Sequence, residues 1–415
     1  MSTLLMIGPT LYLRELGIRS LVRSGHRLIF ADSTSYHPFM QLADETIVCD
    51  LMDRRSAVEQ IVRELRERSL RVDAVLTFGE WYVELTADLA LRLGLRGVRP
   101  DVASICRDKW LMKERLRQRN VPVGAGRIVT GLPAAEQACA ELGFPVVVKP
   151  RNYGGSDGVS RVEDAAQLRD TVGRLQALFA EPRPLFSAPM FERSSFVVER
   201  YIPGRELSVE TLSTDHDHHI VQITEKLLGP EPDFFELGHI APAALTAREH
   251  RQVTDYCLAI LGALEVTNTI SHIELRLAPE PSFIEIGARP GGDRIIDLAW
   301  FSRGIDLYAQ LTAVLLGAPP VLAAKHDRVA MVQFLFTECT GAEQLPSDTA
   351  VQHELARTPG IAAYAYRNLV MASTAHPKRG DNRCGFALVV GATRAEVVSR
   401  IDGLRRRLAG FPLGV

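Results

Sequence analysis

Apolar runs and amphipathic periods alternate along the first hundred residues. "TLLMIG" is a continuous apolar run, predicting a buried strand. "LYLRELGIRSLVRSG" places apolar residues on one helical face and closes at Gly25. "HRLIFAD" is a second strand, "RRSAVEQIVRELRERS" a charged amphipathic helix and "VDAVLTF" another buried strand. Strands alternating with helices predict parallel βαβ units. "DVASICRDKWLMKERLRQRNVPV" has a basic helical period, with Asn120 as its cap and Pro122 as its stop. "GRIVT" and "FPVVVKP" then flank the helix "LPAAEQACAELG". A glycine-rich loop, a helix around "AAQLRDTVGRLQALFA" and a Pro-rich connector, "EPRPLFSAP", follow.

Further along, "SFVVERYI", "RELSVETLS", "HHIVQITEK", "SHIELRL" and "SFIEIGA" alternate with the period of strands, and a helix is predicted from Ala247 to Leu264. The tract "LYAQLTAVLLGAPPVLAA" is interrupted by Gln310 and by Pro319-Pro320, so it reads as a core helix and not a membrane span. From Arg328 onward shorter strands lead to a charged helix, "RAEVVSRIDGLRRRLAG". The fold class is α/β. The expected domains are an N-terminal parallel-sheet domain (1–107), a central domain (108–318, small lobe 108–195 and large lobe 196–318) and a C-terminal α+β domain (319–415).

Composition narrows the partners. Lys and Arg number 48 against 50 for Asp and Glu, and charged residues make up 24% of the chain. Such balance gives no reason to expect nucleic acid or an anionic membrane as partner. Cys49, Cys106, Cys139, Cys257, Cys339 and Cys384 form no CxxC pair, which suits reduced thiols and a cytoplasmic location. The start breaks its apolar run at Gly8-Pro9 and lacks a basic n-region, unlike a signal peptide. No GxGxxG follows the first strand, so a dinucleotide site is not expected there. Asp32, at the end of the second strand, fits a turn cap better than a ribose ligand.

The strongest chemical signal is the hairpin "SHIELRL-APEP-SFIEIGA". Period two puts His272, Glu274 and Arg276 on one face, and Phe283, Glu285 and Gly287 on one face. With "APEP" as a symmetric loop, Glu274 lies opposite Glu285, which is unfavourable unless a cation intervenes. Two hard carboxylates suit Mg²⁺. Removing one acid is then expected to stabilise the metal-free protein by roughly 0.2–1 kcal/mol.

In "VVVKPRNYGGSDGV" a buried strand delivers Lys149 to a loop whose N–H groups at Gly154, Gly155 and Ser156 could wrap polyphosphate. The Lys precedes the glycines, so this is no P-loop. In "VVERYIPGRELSVE", Glu199 ends a strand and Glu206 begins the next, with Glu206, Ser208 and Glu210 sharing a face.

Taken in this order, the stretches resemble the ATP-grasp superfamily over about residues 100 to 315. The resemblance implies that Lys109, in "DKWLMKERL", and Lys149 reach ATP phosphate, and that "GGSDGV" closes over the phosphates. It further implies that Glu199 and the Ile202 backbone meet adenine, that Glu206 meets the ribose, and that Glu274 and Glu285 hold Mg²⁺, with Mn²⁺ as a substitute. The usual Glu-x-Asn is here Glu-Ile-Gly, with Gly287 in register to make room for His272. The "EIGARPGG" form and "EKLLGPEPDFFELGHIAPAAL" look like the L-amino acid ligase branch, where an E-x-x-H pair marks the substrate site. Glu236 and His239 would be that pair, with His239 as an acid or base; without the resemblance His239 reads as a core histidine. Lys226 would be a further phosphate contact.

Arg289 would grip the activated carboxylate, and Gly291 in Pro290-Gly291-Gly292 would let the backbone approach the small substrate. Glu80 would bind an amino group, or equally serve as an N-terminal acid of the following helix. The activity implied is an ADP-forming ligase joining a carboxylate to an amine through an acyl phosphate, with small-molecule substrates and a homodimeric state common in the superfamily. The alternatives are a ligase for a non-amino-acid carboxylate and a non-catalytic nucleotide-binding regulator.

Overall fold

The structure is a computed structural model, and it describes residues 1–9, 14–36, 39–180, 192–230, 234–337, 348–366, 383–411 and 413–414. The Pro-rich connector "EPRPLFSAP" and Cys339 lie outside the described residues.

The N-terminal strands are β1 (Thr3–Ile7), β2 (Arg27–Asp32), β3 (Glu45–Val48) and β4 (Ala74–Thr77), interleaved with α1 (Glu15–Arg23) and α2 (Arg54–Glu67) and followed by α3 (Val83–Leu93). All pairings are parallel, in the order β3-β2-β1-β4. Only β3 is absent from the sequence reading. It is a short strand with two exposed residues and carries little apolar signal. The single basic helix expected next is two helices, α4 (Pro100–Ile105) and α5 (Lys109–Gln118). Asp108 causes the break, since its side chain accepts from the Trp110 and Leu111 N–H groups and starts a new helix. Asn120 takes a left-handed φ of 59° just beyond α5, as a residue past a helix end does.

A four-stranded antiparallel sheet follows. Its elements are β5 (Gly126–Val129), α6 (Leu132–Leu142), β6 (Val146–Pro150), β7 (Ser160–Val162), α7 (Ala165–Ala180) and β8 (Phe196–Arg200), with strand order β5-β8-β6-β7. β8 therefore belongs with the small lobe, one strand beyond the boundary expected at 195. It pairs with both β5 and β6, a non-local arrangement that sequence spacing does not reveal.

The remaining strands form one nine-stranded sheet. They are β9 (Arg205–Ser213), β10 (His218–Leu228), β11 (Glu236–Ala241), β12 (Thr269–Leu277), β13 (Pro281–Gly287), β14 (Val329–Thr337), β15 (Ile361–Tyr366), β16 (Arg383–Gly391) and β17 (Leu413–Gly414). Helices α8 (Ala247–Leu264), α9 (Ile295–Arg303), α10 (Leu307–Leu315), α11 (Asp348–Ala356) and α12 (Arg394–Leu408) connect them. The order is β13-β12-β9-β10-β11-β14-β16-β15, with β17 on β14. The C-terminal strands thus extend the central sheet instead of forming their own.

Period two positions the site. Leu207 and Val209 on β9, with Ile273 and Leu275 on β12, are fully buried against Val253, Cys257, Ile260 and Leu261 of α8. Each such side chain contributes about 1.5–3 kcal/mol. α8 begins at a complete capping box, Thr246 with Glu249. The opposite face of the same strands carries the polar residues Glu206, Ser208, Glu210, His272, Glu274 and Arg276.

Candidate active site

A cavity of about 300 Å³ lies between the small sheet and the large one. Lys109, Lys149, Gly154, Gly155, Ser156, Glu199, Ile202, Glu206, Glu236, Glu274, Glu285, Arg289 and Glu80 all line it. A wider surface groove bordered by Arg71, Arg96 and Asp215 contains none of them.

On the small-lobe side, Glu199 Oε2 takes Lys149 Nζ at 2.8 Å and Lys113 Nζ at 2.6 Å. Burial would raise the Glu199 carboxyl, but the two lysines hold it down to about 2. Burial pulls Lys113 down to about 8 although Glu199 opposes this. Glu199 Oε1 is buried without a hydrogen-bond partner, an orphan acceptor beside the cavity. Lys113 was not anticipated. Its signal was present, since it stands four residues after Lys109 on one helix face. Gly155 and Ser156 have left-handed φ values of 67° and 59°, and a Cβ at Gly154 would lie 3.2 Å from the Trp81 ring. The Ile202 carbonyl accepts from Arg276 Nη1 at 3.0 Å, and Arg276 Nε donates to Glu206 at 3.1 Å.

On the large-lobe side, Glu274 does pair with Glu285 across β12 and β13. The route differs from the symmetric loop expected. Leu277 pairs with Pro281, one residue tighter, and a bulge between Glu274 and Leu275 restores the register. Nor do the acids face each other uncompensated. Lys226 Nζ lies 2.8 Å from Glu274, 2.8 Å from Glu236 and 3.0 Å from Glu206. Lys109 Nζ lies 3.1 Å from Glu285 and donates to the Tyr153 carbonyl at 2.7 Å. Removing one acid is therefore not expected to stabilise the protein, because each already has a cation. Burial opposes charge on Lys226, yet Glu236, Glu274 and Glu206 hold its pKa well above the usual lysine value. Two carboxylates on adjacent strands at the cavity wall are a hard-oxygen donor set that fits Mg²⁺.

Arg289 leaves β13 and its Nε donates to Glu80 Oε2 at 2.5 Å, while Arg107 Nη1 donates to Glu80 Oε1 at 2.6 Å. Burial would raise Glu80, but Arg289 and Arg107 hold it down to about 2. Arg107 also lines the cavity and was missed, because a lone Arg at a helix junction carries no pattern. Gly287 pairs with His272 across the hairpin as expected, and a Cβ there would meet Glu80 at 3.1 Å and Arg289 at 3.5 Å, so that pair also uses the space it leaves. Gly291 also differs from expectation. Its absent side chain makes room for Glu210 and His272, at 2.6 and 2.8 Å from an added Cβ, and Gly292 lines the cavity in its place. From the N-terminal domain, Arg14 donates to the carbonyls of Gly291 and Pro290, the latter at 3.1 Å.

Glu236 Oε2 lies 3.2 Å from His239 Nε2. Residues three apart on a regular strand face opposite ways, but pairing of β11 with β10 shifts register between Leu227 and Leu228 and lets them meet. His239 is fully buried and is not among the described cavity-lining residues, so its ring reaches the cavity through Glu236. Ligand atoms of Glu236, His239 and Asp293 lie within 4.8 Å of one another.

Residues 142–297 match the ATP-grasp domain family. The fold agrees. The crystal structure of an L-amino acid ligase from Bacillus licheniformis superposes with a TM-score of 0.81 at 21% identity, covering 100% of this chain and 98% of that one. The ATP-grasp match thus covers the central part of the chain, and the fold is that of the L-amino acid ligase structure. Ligases are also among the curated proteins to which the chain is similar. It is 27% identical over 276 residues to alanine–anticapsin ligase of Bacillus subtilis (strain 168), covering 62% of this chain and 56% of that one. It is 27% identical over 337 residues to carnosine synthase 1 of Gallus gallus, covering 76% and 35%. The chain thus spans little more than half of the first relative and about a third of the second. No helix among the described residues is long and apolar enough to cross a membrane.

Proposed function

We propose that the protein is an ADP-forming ligase that joins an amino acid, or a related carboxylate, to an amine or second amino acid through an acyl phosphate. The observation that carries this reading is the convergence on one cavity of three groups: lysines beside a glycine loop, two opposed carboxylates, and a guanidinium. Lys109, Lys149 and the N–H groups of Gly154, Gly155 and Ser156 bind the polyphosphate. Glu199, Ile202 and Glu206 receive the nucleoside. Glu274 and Glu285 would hold Mg²⁺, which neutralises phosphate charge when bound.

Arg289 binds the carboxylate and then the acyl phosphate as charge develops on it. Glu80 takes an ammonium of the same substrate, an exchange that leaves both ends of the opened Glu80–Arg289 pair satisfied. The carboxylate attacks the γ-phosphorus, ADP departs, and the incoming amine displaces phosphate from the acyl carbon. Glu236, held by His239 and Lys226, faces the cavity where that amine sheds its proton. The glycine loop excludes water that would hydrolyse the intermediate.

The test is a matrix of amino-acid and amine pairs incubated with ATP, scored for ADP, phosphate and amide by mass spectrometry. Stoichiometric AMP would overturn the phosphoryl route. ADP formed only with carboxylates lacking an amino group would reassign the substrate class.

A further inference from the structure

Glu210 has no part in the chemistry above, yet it is fully buried on β9, behind the cavity-lining His272. Its Oε2 accepts the Gly291 N–H at 3.0 Å, and its Oε1 lies 2.5 Å from His272 Nδ1. His272 Nε2 in turn lies 3.0 Å from Glu274 Oε1. The chain of contacts therefore runs without a gap from the loop that carries Arg289 to Glu274, the acid that would hold Mg²⁺. The loop sits directly on it, since any Cβ at Gly291 would collide with both Glu210 and His272. A carboxylate buried with an imidazole and one N–H is expensive to desolvate, and apolar side chains of similar size would hold the sheet together as well.

The geometry points to Glu210 and His272 as a positioning bridge that fixes the metal-facing carboxylate of Glu274 relative to the Arg289 loop. The bridge rests on the roles proposed above for Glu274 and Arg289. Its action is mechanical. Glu210 sets the imidazole plane from one side, the imidazole together with Lys226 holds Glu274 Oε1 and so fixes where the other carboxylate oxygen points, and the Gly291 N–H ties Glu210 to the substrate loop.

The experiment measures Mn²⁺ binding by EPR in the presence of a non-hydrolysable ATP analogue, with thermal melting on the same samples. Glu210→Gln should weaken Mn²⁺ by roughly 10–100-fold and raise KM for the carboxylate, with metal-free affinity for the analogue unchanged. A second variant, Glu210→Met with His272→Leu, fills the same space without polar groups. It should melt near the wild type and still lose Mn²⁺ affinity, which a merely structural pair would not do. Wild-type Mn²⁺ affinity in both variants, with affinity lost in Glu274→Gln, would overturn the bridge alone. Unchanged affinity in Glu274→Gln as well would overturn the metal assignment and the bridge with it.

Discussion

The two walls of the cavity solve opposite charge problems. On the small-lobe wall one carboxylate, Glu199, is shared by two lysines, Lys113 and Lys149. On the large-lobe wall one lysine, Lys226, is shared by three carboxylates, Glu206, Glu236 and Glu274. The first set carries one excess positive charge; in the second, Arg276 also holds Glu206 and His272 also holds Glu274, so Lys226 is one of three cations that share the acids. A buried excess charge is costly unless an opposite charge offsets it or the group gives up its own charge. The excess on the first wall suits the polyphosphate proposed above, and the carboxylates of the second suit the Mg²⁺ proposed for Glu274 and Glu285.

The sharpest way to break this comparison is to remove the cation that serves three acids. Lys226→Met should cost about 3–5 kcal/mol of stability, the range for stripping one partner from a buried ion pair. Urea unfolding measures it. A loss under about 1 kcal/mol would mean that Arg276 and His272 hold the acids and that Lys226 is incidental.

Arg289→Lys comes next. Lysine keeps the charge but not the planar fork, so kcat should fall by about 2–4 kcal/mol in barrier. ATP affinity, held on the opposite wall, should be nearly unchanged. Calorimetric ATP binding and amide yield on one preparation decide it, and near-wild-type amide synthesis would place the carboxylate elsewhere.

The smallest expected effect belongs to Lys113→Met, because Lys149 still pairs with Glu199. The loss should be about 1 kcal/mol near neutral pH. The pH dependence is more telling. The folded pKa of about 8 lies below the ordinary 10.5, so between those values the unfolded chain holds the proton that the folded chain has released. Wild-type stability should therefore rise relative to the variant as pH climbs from about 8 toward 10.5. On the acid side Glu199 works the other way. Its stabilisation is complete above about 4.5 and is lost as pH falls toward 2. Parallel stability curves for the two proteins across the alkaline range would show that Lys113 carries no buried charge.

Much of this was legible in the sequence where the determinants are local. The helix Ala247–Leu264 follows from a capping box and an apolar period, and the Glu274–Glu285 pairing from period two across a short hairpin. The pairing was reached by a different turn, because a bulge is invisible to alternation alone. What escaped depends on distant contacts. Glu210 could be placed on a face but not beside Gly291, 81 residues away. Lys113 looked like one more basic residue on a charged helix. Gly287 was placed opposite His272 correctly, but the closeness of Glu80 to it and of Glu210 to Gly291 escaped, since a missing side chain does not say what fills its space.

The continuous nine-stranded sheet also bears on how this molecule can be divided. The matched family region stops at 297, and a designer would be tempted to excise it as a portable catalytic cassette. Yet β11, which presents Glu236, hydrogen-bonds on its far side to β14 through Gly238–Gln333, His239–Val332 and Ile240–Met331. A chain cut before β14 would leave that edge bare, with its row of unpaired amides offered to any passing strand. The final quarter of the sequence is therefore less an appendage than the hem of the fabric, and a graft that omits it should be expected to aggregate before it can be assayed.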